Sequence, residues 1–304
     1  MKIPIFVSNT LPEITNKYYS KVLLLGEYTV TEGYSALAVP YMGYVGQWMY
    51  GTNAEAKDIQ GLKHLLQYIE SEQLLRSVYD TDKFREELDK GLFFDSDIPA
   101  GYGLGSSGAL VAAFYDRFAI NKSEDIVELK TILAQTESAF HGSSSGIDPT
   151  VSYLHSAIKV DNGNIISSMK LNIADFGFYL LDTGLERKTA PLVQIFKDKM
   201  VVNPDFKKNI DLLGKANQNA IFLMLQYDKP ALTKDIKMIS SIEFEHFKEM
   251  IPEHIMDLWQ QGLESDDFYI KLCGAGGGGM MLCYIPQETK SDELFIAYKL
   301  KKVE

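Results

Sequence analysis

The spacing of apolar and polar positions changes several times along this chain, and each change marks an expected element. Residues 22–25 form a continuous apolar run closed by Gly26, the pattern of a buried strand. Residues 34–39 continue that sheet, with Gly33 as the turn. Across 61–90 charge is dense, and Leu62, Leu65, Leu66 and Ile69 recur at helical intervals, predicting one or two helices. Leu110, Val111, Phe114 and Phe118 fall on one face of a further helix. Ser123 is placed to cap the next, with Glu124 and Asp125 in its first turn; this helix runs through Leu129, Ile132, Leu133 and Glu137 to His141-Gly142. Beyond the small-residue loop 142–146, Asp148-Pro149 reads as an N-cap followed by proline at the first helical position.

In the second half, 177–181 predicts a strand ending at Asp182-Thr183-Gly184, and helical patterns follow within 190–226 and 242–262. Strands at 269–272 and 280–285 flank a glycine loop at 273–279. Helices and strands are mixed, without an internal repeat, so the expected class is α+β. At 304 residues two domains are expected, divided near Ala174 into 1–174 and 175–304.

Composition narrows the function. Apolar residues make up 46% of the chain, enough for a sizeable core. A net charge of −11 repels nucleic acid and anionic lipid, which excludes both as expected partners. An anionic ligand would have to be held by backbone N–H groups, one or two placed cations and a metal ion. Cys273 and Cys283 make no disulfide framework, and neither a signal peptide nor an apolar stretch of membrane-spanning length is found. A reducing, cytoplasmic location is expected.

Candidate chemistry starts at the segment 98–107, a loop with three glycines and a proline leading straight into a helix. Glycines let backbone N–H groups turn inward and the helix adds the positive end of its dipole, so Gly101, Gly103, Leu104, Gly105, Ser106 and Ser107 form a candidate phosphate cradle. A hydroxyl of Ser106 or Ser107 could ligate a phosphate-bound Mg²⁺. The loop is neither a Walker loop nor a Rossmann fingerprint. An ordinary glycine turn with serine caps is the other reading. Glu137 and Asp148, eleven residues apart, suit the two carboxylate roles in phosphoryl transfer to an alcohol: metal ligand and acceptor of the hydroxyl proton. A solvated carboxylate for Glu137 and a helix cap for Asp148 are the alternatives.

Pro99-x-Gly101-x-Gly103-Leu104-Gly105-Ser106-Ser107 resembles the second motif of the GHMP kinases, which include galactokinase, homoserine kinase, mevalonate kinase and phosphomevalonate kinase. The segment from Lys21 to Glu27 resembles that family's N-terminal motif, and the segment from Lys271 to Gly279 its C-terminal one. The resemblance implies an α+β N-terminal domain related to a ribosomal-protein fold, joined to a ferredoxin-like C-terminal domain. Glu137-x-x-Phe140-His141-Gly142-x-x-Ser145-Gly146-Ile147-Asp148 is similar to the mevalonate kinase branch. It implies ATP and Mg²⁺ as cofactors, Glu137 and Ser107 as metal ligands, and Asp148 as base toward the substrate hydroxyl. Lys21 would sit beside Asp148, hydrogen-bonding the hydroxyl. It further implies Glu27, Tyr28 and Thr189 on the substrate side, His141 ordering its loop, and the glycine loop 274–279 packed against the site. Dimers are common in the family, which leaves a homodimer open.

Three departures stand out. Tyr28 replaces a histidine that helps contact substrate, Ser144 replaces a proline, and Gly108 replaces an alanine. A Gly-Glu-Tyr triplet also occurs in phosphomevalonate kinases. The expected reaction is phosphorylation of mevalonate to 5-phosphomevalonate. Phosphomevalonate or another small alcohol is the alternative substrate, and a non-catalytic sensor of the same fold the alternative role. The motif-bearing loops offer only Lys21, Arg187 and Lys188 as cations, which favours the unphosphorylated substrate.

Overall fold

The computed structural model describes residues 16–51, 56–162, 165–169, 171–186, 189–287 and 298–304. Arg187 and Lys188 lie outside the described residues. Strand β1 (Lys17–Leu25) pairs antiparallel with the long β2 (Ala36–Tyr50), Val22 opposite Val39, and the turn between them ends at Gly33 as expected. One end of β2 takes β3 (Leu92–Ser96); the other takes β4 (Ala157–Asp161), which pairs in turn with β5 (Ile165–Met169). These last three strands escape the sequence reading because each is five residues long and is held in extended form by its pairing, directly or through β4, with β2.

Segment 61–90 holds three helices rather than one or two: α1 (Ala56–Ser71), α2 (Gln73–Val78) and α3 (Thr81–Asp89). Extended backbone at Glu72 and Tyr79 interrupts them, and the Asp80 carboxylate caps the last by accepting from the Lys83 N–H at 3.0 Å. Helix α4 (Ser106–Phe118) lies on the sheet and buries Val111, Phe114 and Phe118 against Trp48, Tyr79 and Phe84. Helix α5 (Ile126–His141) is capped by Asp125, not by Ser123: one carboxylate oxygen of Asp125 accepts from the N–H groups of Val127 and Glu128, both at 2.8 Å. Helix α6 (Ile147–Leu154) starts after Gly146, which puts Asp148 inside its first turn with no capping bond, contrary to the N-cap expectation.

A second antiparallel sheet has the order β7-β8-β6-β9, from β6 (Phe178–Asp182), β7 (Tyr269–Lys271), β8 (Met280–Tyr284) and β9 (Lys301–Lys302). The helices of this half are α7 (Thr189–Val202), α8 (Pro204–Leu225), α9 (Lys229–His246) and α10 (Glu253–Ser265). Both α8 and α9 open on a side-chain cap followed by proline in the first turn, Asn203 and Asp228 accepting from the backbone N–H groups of Phe206 and Ala231.

The turn after β1 is bolted to the second half through polar contacts. The Gly26 N–H donates to Asn217 of α8 at 3.2 Å, and the Tyr28 hydroxyl to the Ala275 carbonyl at 2.7 Å. Between them, the Lys271 ammonium lies 2.7 Å from Oε1 of Glu27, both side chains wholly buried. Lys271 also donates to the Leu272 carbonyl, while the Leu272 N–H donates to Glu243 of α9, each at 2.7 Å. Two carboxylates thus share one buried cation. Burial pushes the Glu243 carboxyl up to about 8, Lys271 opposing the rise and Glu27 adding to it.

The folded chain therefore keeps this proton to about pH 8, whereas the unfolded chain loses it near the ordinary glutamate value of 4.5. Folding takes up a proton between these values, so this contribution to stability is present below pH 4.5 and is lost as pH rises to about 8. Thermal melts from pH 5 to 9 are expected to fall more steeply for the wild type than for Glu243→Gln; parallel curves would mean that Glu243 is ionised in the folded chain.

Candidate functional site

Strand β1 carries Lys21 toward the start of α4, and the Lys21 N–H donates to the Leu104 carbonyl at 2.9 Å, tying loop to strand. Leu104 itself is buried, so its side chain packs in the core while its carbonyl makes the tie. Gly105 precedes α4 with φ 75°, a left-handed conformation that disfavours any residue with a Cβ. A Cβ there would also come 3.0 Å from Cγ of Lys21 and 3.4 Å from Oδ2 of Asp148. The first bond within this turn runs from the Ala109 N–H to the Gly105 carbonyl at 2.9 Å. As at any helix start, the N–H groups before it have no partner within the helix.

Asp148 reaches the same place from α6. Its Oδ1 lies 3.1 Å from the Lys21 ammonium, and the two differ in access: the lysine side chain is 8% exposed, the aspartate 34%. The cation is held inside and the carboxylate is presented outward. Helix α6 comes this close because position 108 is glycine: a Cβ would lie 2.9 Å from Cβ and the carbonyl carbon of Asp148. The alanine that the resemblance places here would force the two helices apart.

Across the loop, the Ser107 hydroxyl donates to Oε1 of Glu137 at 2.9 Å and is in turn 3.0 Å from Nε2 of His141. Glu137 is 4% exposed, and its carboxyl is raised above the usual range, first by burial and then by the charge of Asp148. The Ser144 hydroxyl holds Oε2 of Glu137 and also accepts from the Gly146 N–H at 2.9 Å. Sequence reading gave Ser144 no role; in place of proline it supplies a hydroxyl that buttresses a buried carboxylate.

Gly101, Gly103, Gly105, Ser106, Ser107, Glu137, His141 and Asp148 line one cavity of about 810 Å³, so the structure brings these candidate residues together. Two serine and glutamate oxygens are hard donors suited to Mg²⁺, but among the described residues no three His, Cys, Asp or Glu side chains cluster as a metal site. The pair fits an ion that arrives with phosphate and keeps water as its other ligands, rather than one resident in a protein cage.

Glu27 and Tyr28 border a second cavity of about 720 Å³, which adjoins the first through Val193 and Lys197 of α7. Glu27 faces Lys271, and the Tyr28 ring stacks 4.7 Å from Phe196. Thr189 opens α7, but its side chain lies outside the described residues. The glycine loop packs on the site: the Met280 N–H points at the Tyr102 carbonyl at 3.4 Å, and Thr183 donates to the Gly279 carbonyl at 2.8 Å. Cys273 and Cys283 are both buried, and burial pushes the Cys283 thiol up to about 12, so it is no nucleophile. Lys197 was also missed; its place among Val193, Phe196 and Met200 is legible only once the face of α7 is known.

Residues 72–156 match the family described as GHMP kinases N terminal domain. A mevalonate kinase of Thermococcus sibiricus is 24% identical over 311 residues, covering 92% of this chain and 91% of that protein. The solved structure of L. major mevalonate kinase in complex with R-mevalonate shares the fold with a TM-score of 0.65 at 17% identity, covering 96% of this chain and 93% of that one. Streptococcus pneumoniae phosphomevalonate kinase does so with a TM-score of 0.64 at 16% identity, covering 95% and 98%. No helix among the described residues is long and apolar enough to cross a membrane. Residues 72–156 thus match a GHMP kinase N-terminal domain, the chain has the fold of the GHMP kinases, and its likeness to mevalonate kinases over most of its length supports a kinase that phosphorylates an alcohol.

Proposed function

We propose that the chain transfers the γ-phosphoryl group of ATP to the primary hydroxyl of mevalonate, giving 5-phosphomevalonate and ADP. The observation that carries this reading is the Lys21–Asp148 pair, 3.1 Å apart beside the left-handed Gly105. The loop from Gly101 to Ser107 would hold the nucleotide phosphates through backbone N–H groups and the start of α4. Asp148 accepts the hydroxyl proton, and Lys21 orients the hydroxyl while compensating the carboxylate charge. Ser107 and Glu137 would hold Mg²⁺ on the phosphates, where the ion offsets negative charge during transfer. His141 and Ser144 keep those two ligands in register. We assign the two sheets to domains 1–174 and 175–304.

The substrate side favours mevalonate. The second cavity is walled by Leu23, Val193, Phe196 and Met200, which suits a methyl-branched carbon chain. A second phosphate would need several cations, and Lys197 is the one cation lining that cavity among the described residues. Glu27 and Tyr28 line this cavity, and Thr189, which opens α7, is assigned to the substrate side on the resemblance alone. One observation favours phosphomevalonate instead: Tyr28 in place of histidine. Its hydroxyl, however, is already committed to the Ala275 carbonyl.

An ADP-release assay over mevalonate, phosphomevalonate, homoserine and galactose tests the reading. A kcat/KM for mevalonate at least about tenfold above the others is expected; a preference for phosphomevalonate would make Tyr28 the better guide. For the metal, Ser107→Ala and Glu137→Gln should each weaken use of Mg²⁺-ATP and recover in part at raised Mg²⁺, since each removes a single ligand. Wild-type Mg²⁺ dependence in both variants would take these residues out of the metal site.

A further inference from the structure

The turn after β1 has a strained residue at its centre. Tyr28 has φ 60° and ψ −44°, and the Thr29 N–H donates to the Glu27 carbonyl at 2.6 Å, so residues 27–29 form a γ-turn. This form of the turn is rare, and a bulky aromatic residue keeps it only where the surroundings hold it there. Here they do. The Tyr28 ring lies 4.7 Å from Phe196 of α7 and 5.4 Å from Phe247, just past α9, and its hydroxyl donates to the Ala275 carbonyl at 2.7 Å. The residue before it, Glu27, is paired with Lys271. Two consecutive side chains thus grip segment 271–275, and the Tyr28 carbonyl closes the turn behind them by accepting from the Thr31 hydroxyl at 2.6 Å. Gly274 and Ala275 line the second cavity together with Tyr28. Gly274, Gly276 and Gly277 all have positive φ, a backbone with no side chains to anchor it. Its ties include the Gly277 N–H to the Met250 carbonyl at 2.6 Å and the Tyr28 hydroxyl to Ala275.

We propose that Tyr28 is a positioning residue: its hydroxyl, held out by the strained turn, clamps the glycine loop at Ala275 and so sets the wall of the acceptor cavity, without itself binding the substrate. That this cavity takes the acceptor rests on the proposed mevalonate reaction; the clamp on the loop does not. A phenol has one proton to donate, and this one is engaged by Ala275. The side chain, 8% exposed, therefore offers the cavity apolar ring rather than a donor. The resemblance places a substrate-contacting histidine at this position. Tyrosine, being longer, reaches past the cavity to the loop instead. The strain follows from the same task, because the backbone at 28 is held in a costly conformation by contacts that its own side chain makes with the other half of the chain.

The test uses Tyr28→Phe, which keeps the ring against Phe196 and removes only the hydroxyl. Amide hydrogen exchange is measured without ligand, and acceptor KM, kcat and nucleotide Kd are measured with mevalonate and with its analogue lacking the tertiary hydroxyl. Protection of the Gly277 and Thr29 amides should fall roughly 2- to 10-fold, the loss of one neutral hydrogen bond. Acceptor KM should rise by a similar factor for both acceptors alike, with kcat changed less and nucleotide Kd unchanged. Unchanged exchange at both amides overturns the inference, since the hydroxyl then does not hold the loop. Faster exchange with an unchanged acceptor KM also overturns it, because the tie would then serve the fold alone. A KM raised only for the acceptor that keeps its tertiary hydroxyl overturns it in favour of a direct contact. Absence of mevalonate turnover in the wild type removes the functional reading itself. The exchange measurement, and the KM of whichever alcohol is then turned over, still decide for or against the clamp.

Discussion

Lys21 and Asp148 have to meet where α4 begins, although they come from β1 and α6, and most of the local architecture follows from that requirement. The Leu104 carbonyl fixes β1 to the loop through the Lys21 N–H, and left-handed Gly105 turns the chain into α4 without a side chain in the way. Gly108 then lets the first turn of α6 lie directly against α4. Coulomb attraction at 3.1 Å is strong only where water is scarce, and the 8% exposure of the lysine side chain supplies that condition. The carboxylate, more open, faces the cavity lined by the loop. A fixed inner cation with an outward carboxylate is an arrangement suited to positioning a hydroxyl.

Much of this was legible in the sequence, for physical reasons that differ by element. The strand at 22–25 and the helix after Ser106 were marked by strong periodicity and by glycine at their boundaries, and both stand in the structure. Strands β3, β4 and β5 were not, since five-residue segments acquire their conformation from a neighbouring strand rather than from their own pattern. Asp148 was misplaced locally: Gly146 starts α6 two residues earlier, which frees the carboxylate from capping and turns it toward Lys21. Ser144 and Lys197 were invisible because their neighbours, Glu137 and the stripe on α7, are assembled only by folding. Motif spacing carries the chemistry of a loop well. It carries little about a cavity wall built from a distant helix.

The side proposed for the acceptor depends on a different constraint. Glu27, Lys271 and Glu243 place two carboxylates and one ammonium where no water reaches, joining the turn after β1 to the strand before the glycine loop. Removing one member of such a buried pair typically costs about 3–5 kcal/mol, because the remaining charge is left without compensation. Raised protonation of Glu243 leaves Glu27 as the matching anion for Lys271. The Tyr28 hydroxyl, bonded to the Ala275 carbonyl, adds a second tie between the turn after β1 and the glycine loop on the side proposed for the acceptor.

The central claim is that Lys21 and Asp148 act as one unit on the substrate hydroxyl, and a double-mutant cycle on kcat tests it directly. Asp148→Asn keeps the shape and removes the charge, so kcat should fall by about 10²–10⁴-fold with nucleotide Kd little changed, the usual worth of a general base. Lys21→Met should also lower kcat, and the double variant should lose less than the product of the two single losses, as groups working together do. If Asp148→Asn keeps kcat within a few-fold of wild type while the variants melt normally, the aspartate is a structural residue and the account fails.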